Sequence, residues 1–295
     1  MIEKIGIVGS QMDLGASRKG VDMGPLAIRH AGLIAKIRNN GLSVEDFGDV
    51  IVDVAEEVGD PKLRYAREIN SANKHLFDRV KNILEDGSFP VIIGGDHGIA
   101  AGSIPAVAEH YGRIGVIWVD AHGDFNDEKI TPTGNMHGMP LSAVCGLGPD
   151  CMVEFSRARI DPHNVVIIGA RDLDPLEKEK LHASGVTVFT ISDVHTMGMP
   201  DIAKQAVRVA AAGTEGIHLS LDMDGIDPAE APGVGTPVQN GLTLRETYIA
   251  LEIINKYSKL LSMDVVEVNP LLDTRNRTGT LAVDLILTAL GNPNY

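Results

Sequence analysis

Apolar residues along this chain follow two alternating patterns. Short runs such as Lys4–Val8, Phe89–Gly94 and Gly115–Val119 are rich in Val and Ile, and between them lie longer stretches in which apolar positions recur every three or four residues. The short runs have the length and content of strands buried on both faces, and the long ones have the period of helices with one covered face. Strands are thus predicted at 4–8, 42–47, 89–94, 115–119, 164–168, 187–190, 217–221 and 262–268. One helix is predicted from Pro25 to a stop at Gly41, on Ile28, Ala31, Leu33, Ile34 and Ile37. Leu63, Ile69, Ala72, Leu76, Val80 and Ile83 give a helical spacing from Pro61 to Glu85. A small-residue helix follows His97 as far as about Tyr111, and others are predicted at 175–184, 200–212, 243–255 and 280–290.

Eight strands alternating with helices require a parallel sheet with crossover helices, the α/β class. The pattern fits a closed barrel and an open doubly wound sheet equally well, and in both the chemistry belongs at the carboxyl ends of the strands. No Ser- or Pro-rich connector, low-complexity block or fixed-period repeat interrupts the chain, so a single domain over residues 1–295 is expected.

Composition narrows the partners. Apolar residues make up 44% of the chain and aromatic ones only 4%, as suits a core of Val, Ile, Leu and Ala. A net charge of −14 argues against nucleic acid or an anionic membrane, both of which need a basic footprint, and is compatible with a cationic small substrate. The N-terminal apolar run is too short for a signal peptide and no 18-residue apolar stretch occurs, which gives a cytoplasmic expectation. Cys145 and Cys151 are too few for a disulfide framework.

Candidate chemistry sits after the run Gly115–Val119, where Asp120, His122 and Asp124 alternate with Ala121 and Gly123. In an extended backbone that spacing puts all three on one face. Such groups crowded at a buried strand end need a cation to neutralise them, although a polar turn facing water would show the same letters. Two more strand ends add to the set: His97 after FPVIIGG, and Asp222 with Asp224 in GIHLSLDMDGID. Four carboxylates and two imidazoles without a thiolate suit Mn²⁺ or a similar first-row ion, and six ligands suggest two ions sharing carboxylates.

With these segments in view the chain resembles the ureohydrolase family, the arginases and agmatinases, and within it the arginases. The resemblance rests on GGDH at Gly94–His97, DAHGD at Asp120–Asp124, GNMHG at Gly134–Gly138, SLDMDGIDP at Ser220–Pro228, GVGTPV at Gly233–Val238 and VEVNP at Val266–Pro270, in family order over nearly the whole chain. It implies an open three-layer α/β/α fold with a parallel eight-stranded sheet. It also implies two Mn²⁺ held by His97, Asp120, His122, Asp124, Asp222 and Asp224, and hydrolysis of L-arginine to L-ornithine and urea by a hydroxide bridging the metals. The nearest alternative is hydrolysis of agmatine or another guanidino compound.

The same resemblance implies further roles. His137 matches a proton-shuttling histidine and Glu267 a carboxylate that pairs with the substrate guanidinium. Asn126, Thr133 and Asn135 stand where arginases read the α-carboxylate, Asp174 where they meet the α-ammonium, and Thr236 on the substrate side. Thr133 departs from an expected Ser, keeping a hydroxyl and adding a methyl, and Gly98 departs from the Ser that often follows the GGDH histidine. His218 has no motif match and is read as a core or surface residue; Asp227, before Pro228, is read as a turn former or a group that supports the ligands from behind. The family also implies a homotrimer or homohexamer.

Overall fold

The computed structural model describes residues 2–292 and contains all eight predicted strands. They are β1 Lys4–Ser10, β2 Ser43–Val50, β3 Phe89–Gly94, β4 Gly115–Val119, β5 Val165–Ala170, β6 Thr187–Thr190, β7 Ile217–Asp222 and β8 Leu260–Val266. They form one sheet in the order β2-β1-β3-β8-β7-β4-β5-β6, with every neighbouring pair parallel. β2 and β6 are edges, so the sheet is open and the barrel alternative falls.

The helices are α1 Gly24–His30, α2 Leu33–Asn39, α3 Ala66–Glu85, α4 Ala100–Tyr111, α5 Pro140–Val144, α6 Pro175–Ser184, α7 Ile191–Met197, α8 Met199–Ala210, α9 Leu244–Tyr257 and α10 Arg277–Ala289. They cover both faces of the sheet. Alternate strand residues supply two cores, as the two-residue period of a strand dictates. Ile5, Ile7, Ile117 and Val119 pack with residues of α1, α2, α8, α9 and α10, while Val8, Val116 and Trp118 pack with residues of α3, α4 and α5. Each fully buried side chain of this size contributes about 1.5–3 kcal/mol relative to leaving it in water, so both helix layers are firmly held. The result is a three-layer α/β/α arrangement.

Local chemistry explains where the elements depart from the sequence pattern. The helix expected over Pro25–Gly41 is two, because Gly32 takes a left-handed φ of 91° between them. Pro61–Tyr65 is not helical: Tyr65 lies at φ 58° and its N–H donates to Val58 O, so α3 starts only at Ala66. α7 was not expected, although Thr190 and Asp193 form a capping box at its start.

The strand order brings the site together. β3 and β4 follow each other in sequence, but β8 and β7 lie between them in the sheet. Four central strands therefore end side by side, and His97, Glu267, Asp222 and Asp120 stand at or just beyond those ends. Such a reversal of strand order is where open α/β sheets form ligand crevices. At the end of β3 the backbone must pass very close to the segment after β1. A Cβ on Gly95 would fall 1.8 Å from Met12 O, so only glycine fits there. Among the described residues no helix is long and apolar enough to cross a membrane.

Candidate metal centre and substrate cleft

The three strand-end segments do meet. His97 Nδ1 lies 3.0 Å from Asp222 Oδ2, 3.1 Å from Asp120 Oδ2 and 3.2 Å from Asp124 Oδ2. His122 Nδ1 lies 3.2 Å from Asp224 Oδ2 and 3.3 Å from Asp120 Oδ1. Two ligand groups result, His97–Asp120–Asp222 and Asp120–His122–Asp224, each with donor atoms within 4.8 Å of one another. Asp120 belongs to both and turns one oxygen toward each. His97, Asp120, Asp124, Asp222 and Asp224 are buried and His122 is partly exposed.

The convergence does not come from an extended strand, as the alternate spacing suggested. β4 stops at Val119, the His122 N–H donates to Asp120 Oδ1 at 2.6 Å, and Asp124 takes φ 48°, a left-handed turn conformation. A tight turn thus gathers the DAHGD side chains. A similar turn serves the other pair, where the Asp224 N–H donates to Asp222 Oδ1 at 2.7 Å.

Burial penalises charge here, and the groups respond to one another. Burial opposes ionisation of Asp120, but hydrogen bonds and charge from His122 and His97 outweigh it and hold the carboxyl far below its usual range. Burial and the neighbouring carboxylates raise Asp222, and they raise Asp124 to about 6. Burial disfavours the imidazolium forms of His97 and His122, yet the surrounding aspartates raise both well above the ordinary histidine value. Protons on the imidazoles do in part what a bound cation would do, and a divalent ion would displace them. Carboxylate and imidazole donors without thiolate, with one carboxylate shared between two groups, fit hard or borderline divalent metal ions.

Neighbours fix the ligands. Trp118 Nε1 donates to Asp120 Oδ2 at 2.8 Å, and its ring stacks on His97 with centroids 3.8 Å apart. His97 Nε2 and Ser220 Oγ lie 2.8 Å apart, which leaves Nδ1 to face the carboxylates. Thr236 Oγ1 donates to Asp224 Oδ2 at 2.8 Å. Arg171 holds the loop that carries Thr236: its guanidinium donates to the carbonyls of Gly169, Asp224, Gly225 and Val238.

Glu267 is at the floor of the cleft, only 1% exposed and with φ 64°. Its Oε1 accepts from the His97 N–H at 3.0 Å and lies 3.1 Å from His137 Nδ1. Its Oε2 is buried without a hydrogen-bond partner among the described residues. Burial opposes the charged form of His137, but the hydrogen bond and charge of Glu267, with the charges of Asp96 and Asp124, together outweigh it and raise the imidazole to about 9. Read from residue type alone, Glu267 would pass for a helix cap or surface group. Its position one residue past a fully buried strand was the available signal.

The cleft opens outward along two connected cavities that share His122, Asn135, His137, Asp172 and Thr236. Asn126, Thr133 and Asp174 also line it. Asn126 Nδ2 donates to Asp174 Oδ2 at 3.0 Å, and the Asn135 N–H donates to Thr133 Oγ1 at 3.2 Å. Eleven of the thirteen residues expected in the site therefore line these cavities, and the other two, His97 and Asp120, are buried against Asp124, Asp222 and His122. Thr131, Asp172 and Glu177 line it too and were not foreseen. Glu177 lies in the first turn of α6, where an acidic residue usually serves only the helix dipole. Here burial raises its carboxyl to about 8, and its Oε1 accepts from the Phe125 N–H. His218 is a core residue, held between Ser262 and Asp264, and Asp227 caps turns by accepting from the Ala229 and Gly241 N–H groups.

Comparison with known proteins adds to this geometry. The Arginase family profile matches residues 3–291. An arginase of Bacillus caldovelox is 43% identical over 295 aligned residues, covering 98% of this chain and 99% of that protein. A solved structure of the Bacillus caldovelox arginase superposes with a TM-score of 0.96 at 42% identity, each chain covered completely, 100% and 100%. An Entamoeba histolytica arginase solved in complex with L-ornithine gives a TM-score of 0.91 at 30% identity, covering 98% of this chain and 99% of that one.

Proposed function

The chain belongs to the arginase family, and on that premise we propose that it hydrolyses L-arginine to L-ornithine and urea with two manganese ions. The observation that carries this reading is a buried carboxylate oxygen, Glu267 Oε2, with no hydrogen-bond partner among the described residues, in a cleft lined also by His122, Asp124, Asp222 and Asp224 of the ligand cluster. A buried carboxylate oxygen without a donor is costly, and a planar cation such as guanidinium relieves it with directed N–H donors.

His97, Asp124 and Asp222 would hold one ion and His122 and Asp224 the other, with Asp120 in reach of both. Manganese bound there supplies Lewis acidity and lowers the pKa of water toward neutrality. Glu267 orients the guanidinium so that water oxygen adds to its carbon. As the bond from that carbon to Nε breaks, the nitrogen takes up a proton, made good by one that the adding water releases, and leaves as the amine of ornithine, while the oxygen stays on the carbon as the carbonyl of urea. His137, poised beside Glu267 with a raised pKa, delivers that proton. Thr236 steadies Asp224 on the substrate side.

The rim suits a zwitterion. Asn126, Thr133 and Asn135 offer amide and hydroxyl donors to an α-carboxylate, while Asp174 meets the α-ammonium. Thr133 keeps the hydroxyl that the family's Ser provides. We read the protein as one catalytic domain over residues 1–295, cytoplasmic, and assembled as a homotrimer or homohexamer, the last checked by sedimentation. Urea release from L-arginine and agmatine, measured side by side on manganese-loaded protein with elemental analysis, tests the function. Two manganese per chain and a preference for L-arginine are expected, and a clear preference for agmatine overturns the substrate assignment.

A further inference from the structure

The segment Val58–Tyr65, which the sequence pattern half assigned to a helix, is bound instead to the turn Thr131–Asn135 on the cleft rim. The Arg64 N–H donates to Gly134 O at 3.1 Å, and Lys62 Nζ donates to Thr131 O at 2.6 Å. Arg64 Nη1 donates to Asn135 Oδ1 at 3.3 Å. Two cations and one backbone bond therefore grip a single turn.

The side-chain contact has a consequence for Asn135. An amide presents an acceptor on one side and two donors on the other, and its orientation follows its neighbours. A guanidinium only donates, so Arg64 selects the carbonyl oxygen. Ser17 Oγ, which both donates and accepts, follows that choice: it lies 3.1 Å from Asn135 Oδ1 and 2.9 Å from Nδ2. The Asn135 NH₂ group is left with a second N–H in a residue that lines both cavities of the cleft. Arg64 itself is steadied by the Tyr65 ring, 5.8 Å from its guanidinium carbon. Neither cavity is lined by Arg64, so it acts through Asn135 and does not touch what the cleft binds.

We infer that Arg64 is a positioning residue for the substrate's carboxylate: it fixes the amide of Asn135 with the donor side turned to the cleft. The inference rests on the reading that Asn135 faces an α-carboxylate. A residue acting in this way affects recognition of a carboxylate-bearing substrate and leaves the chemical step alone.

The test is steady-state kinetics of manganese-loaded wild type, Arg64→Ala, Arg64→Lys, Asn135→Ala and the Arg64→Ala/Asn135→Ala double variant. L-Arginine is the substrate, and agmatine, which lacks the carboxylate, is used both as substrate and as competitive inhibitor. Arg64→Ala is expected to raise KM for L-arginine roughly three- to tenfold, the worth of one hydrogen bond, with kcat and the agmatine constants unchanged. Arg64→Lys, still a donor only, recovers part of the loss, and Arg64→Ala adds nothing in the Asn135→Ala background. An unshifted KM, an equal loss on agmatine, or additive effects in the double variant overturn the role of Arg64 while wild-type activity stands. Wild-type protein that releases no urea from L-arginine overturns the underlying functional reading, and this inference with it.

Discussion

Replacing Asp120 with Asn tests whether one carboxylate serves both ligand groups. Its Oδ2 lies 3.1 Å from His97 Nδ1 and its Oδ1 lies 3.3 Å from His122 Nδ1. An amide keeps one acceptor and puts N–H donors in place of the other, so one group loses an oxygen and both lose a negative charge. Trp118 and the His122 N–H donate to different oxygens of Asp120, so either orientation of the amide also leaves one buried donor unpaired. Removing one partner from a buried charge cluster costs about 3–5 kcal/mol, which corresponds to about two to three and a half powers of ten in metal affinity. Asp124→Asn reaches only the His97 group, through Oδ2 at 3.2 Å. Dialysis against graded chelator, followed by elemental analysis and urea rates, is expected to show Asp120→Asn losing both ions at chelator levels where Asp124→Asn loses one. Trp118 fluorescence, read in wild type on chelation, gives an independent optical report because that ring touches both His97 and Asp120. Equal metal loss from the two variants, or wild-type metal retention in Asp120→Asn, refutes the shared-ligand geometry.

His137→Asn is expected to retain its metal while kcat falls about 10²-fold, the usual contribution of a positioned acid–base group; metal loss in parallel with rate contradicts the proton-transfer role. Glu177, 3% exposed, has a carboxyl raised from 4.5 to about 8 by burial. Between those values the folded chain keeps a proton that the unfolded chain has lost, so the stability of metal-free protein falls as pH rises through that window. Glu177→Gln removes this slope, matching wild type near pH 4 and exceeding it by on the order of a few kcal/mol at pH 9; denaturant titrations with chelator present check it, and parallel pH profiles refute it. Arg171→Met unpairs the carbonyls that Arg171 collects at the start and end of the Thr236 loop. A loss on the order of 3 kcal/mol is expected with metal and without it, and an unchanged melting temperature sinks the idea.

Much of this molecule could be read from letters alone because burial writes strong patterns. The runs that become β3, β4, β5 and β7 are buried at every position, and such runs have few alternatives to a central strand. The six candidate ligands were visible because each lies at or just after such a run. The break at Gly32 and the irregular path before Ala66 were less legible, since apolar spacing persists through them while a left-handed residue alters the backbone. Asp120–Asp124 shows the converse: the right side chains converge, but through a turn and not along a strand. Glu177 and Asp172 escaped notice because polar residues in a loop or first helical turn look alike whether they face bulk water or a cleft. Arg64 escaped for the same reason, as nothing local marks a cation that orients an amide some seventy residues away.

The placement of β8 and β7 between β3 and β4 has a consequence for how the protein is made. Residues from the amino-terminal side leave the ribosome first, so the β2-β1-β3 ribbon and the β4-β5-β6 ribbon are synthesised before the two strands that join them. In the finished sheet β3 and β4 stand three strand spacings apart, roughly 14 Å, with His97 on one shore and Asp120, His122 and Asp124 on the other. A nascent chain that has not yet produced residues 217–266 lacks Asp222 and Asp224 and has nothing to close that gap. Metal binding by the full cluster therefore belongs to the end of biogenesis, after the last two strands have slotted in, and a stalled or clipped translation product would emerge with the ligand set incomplete.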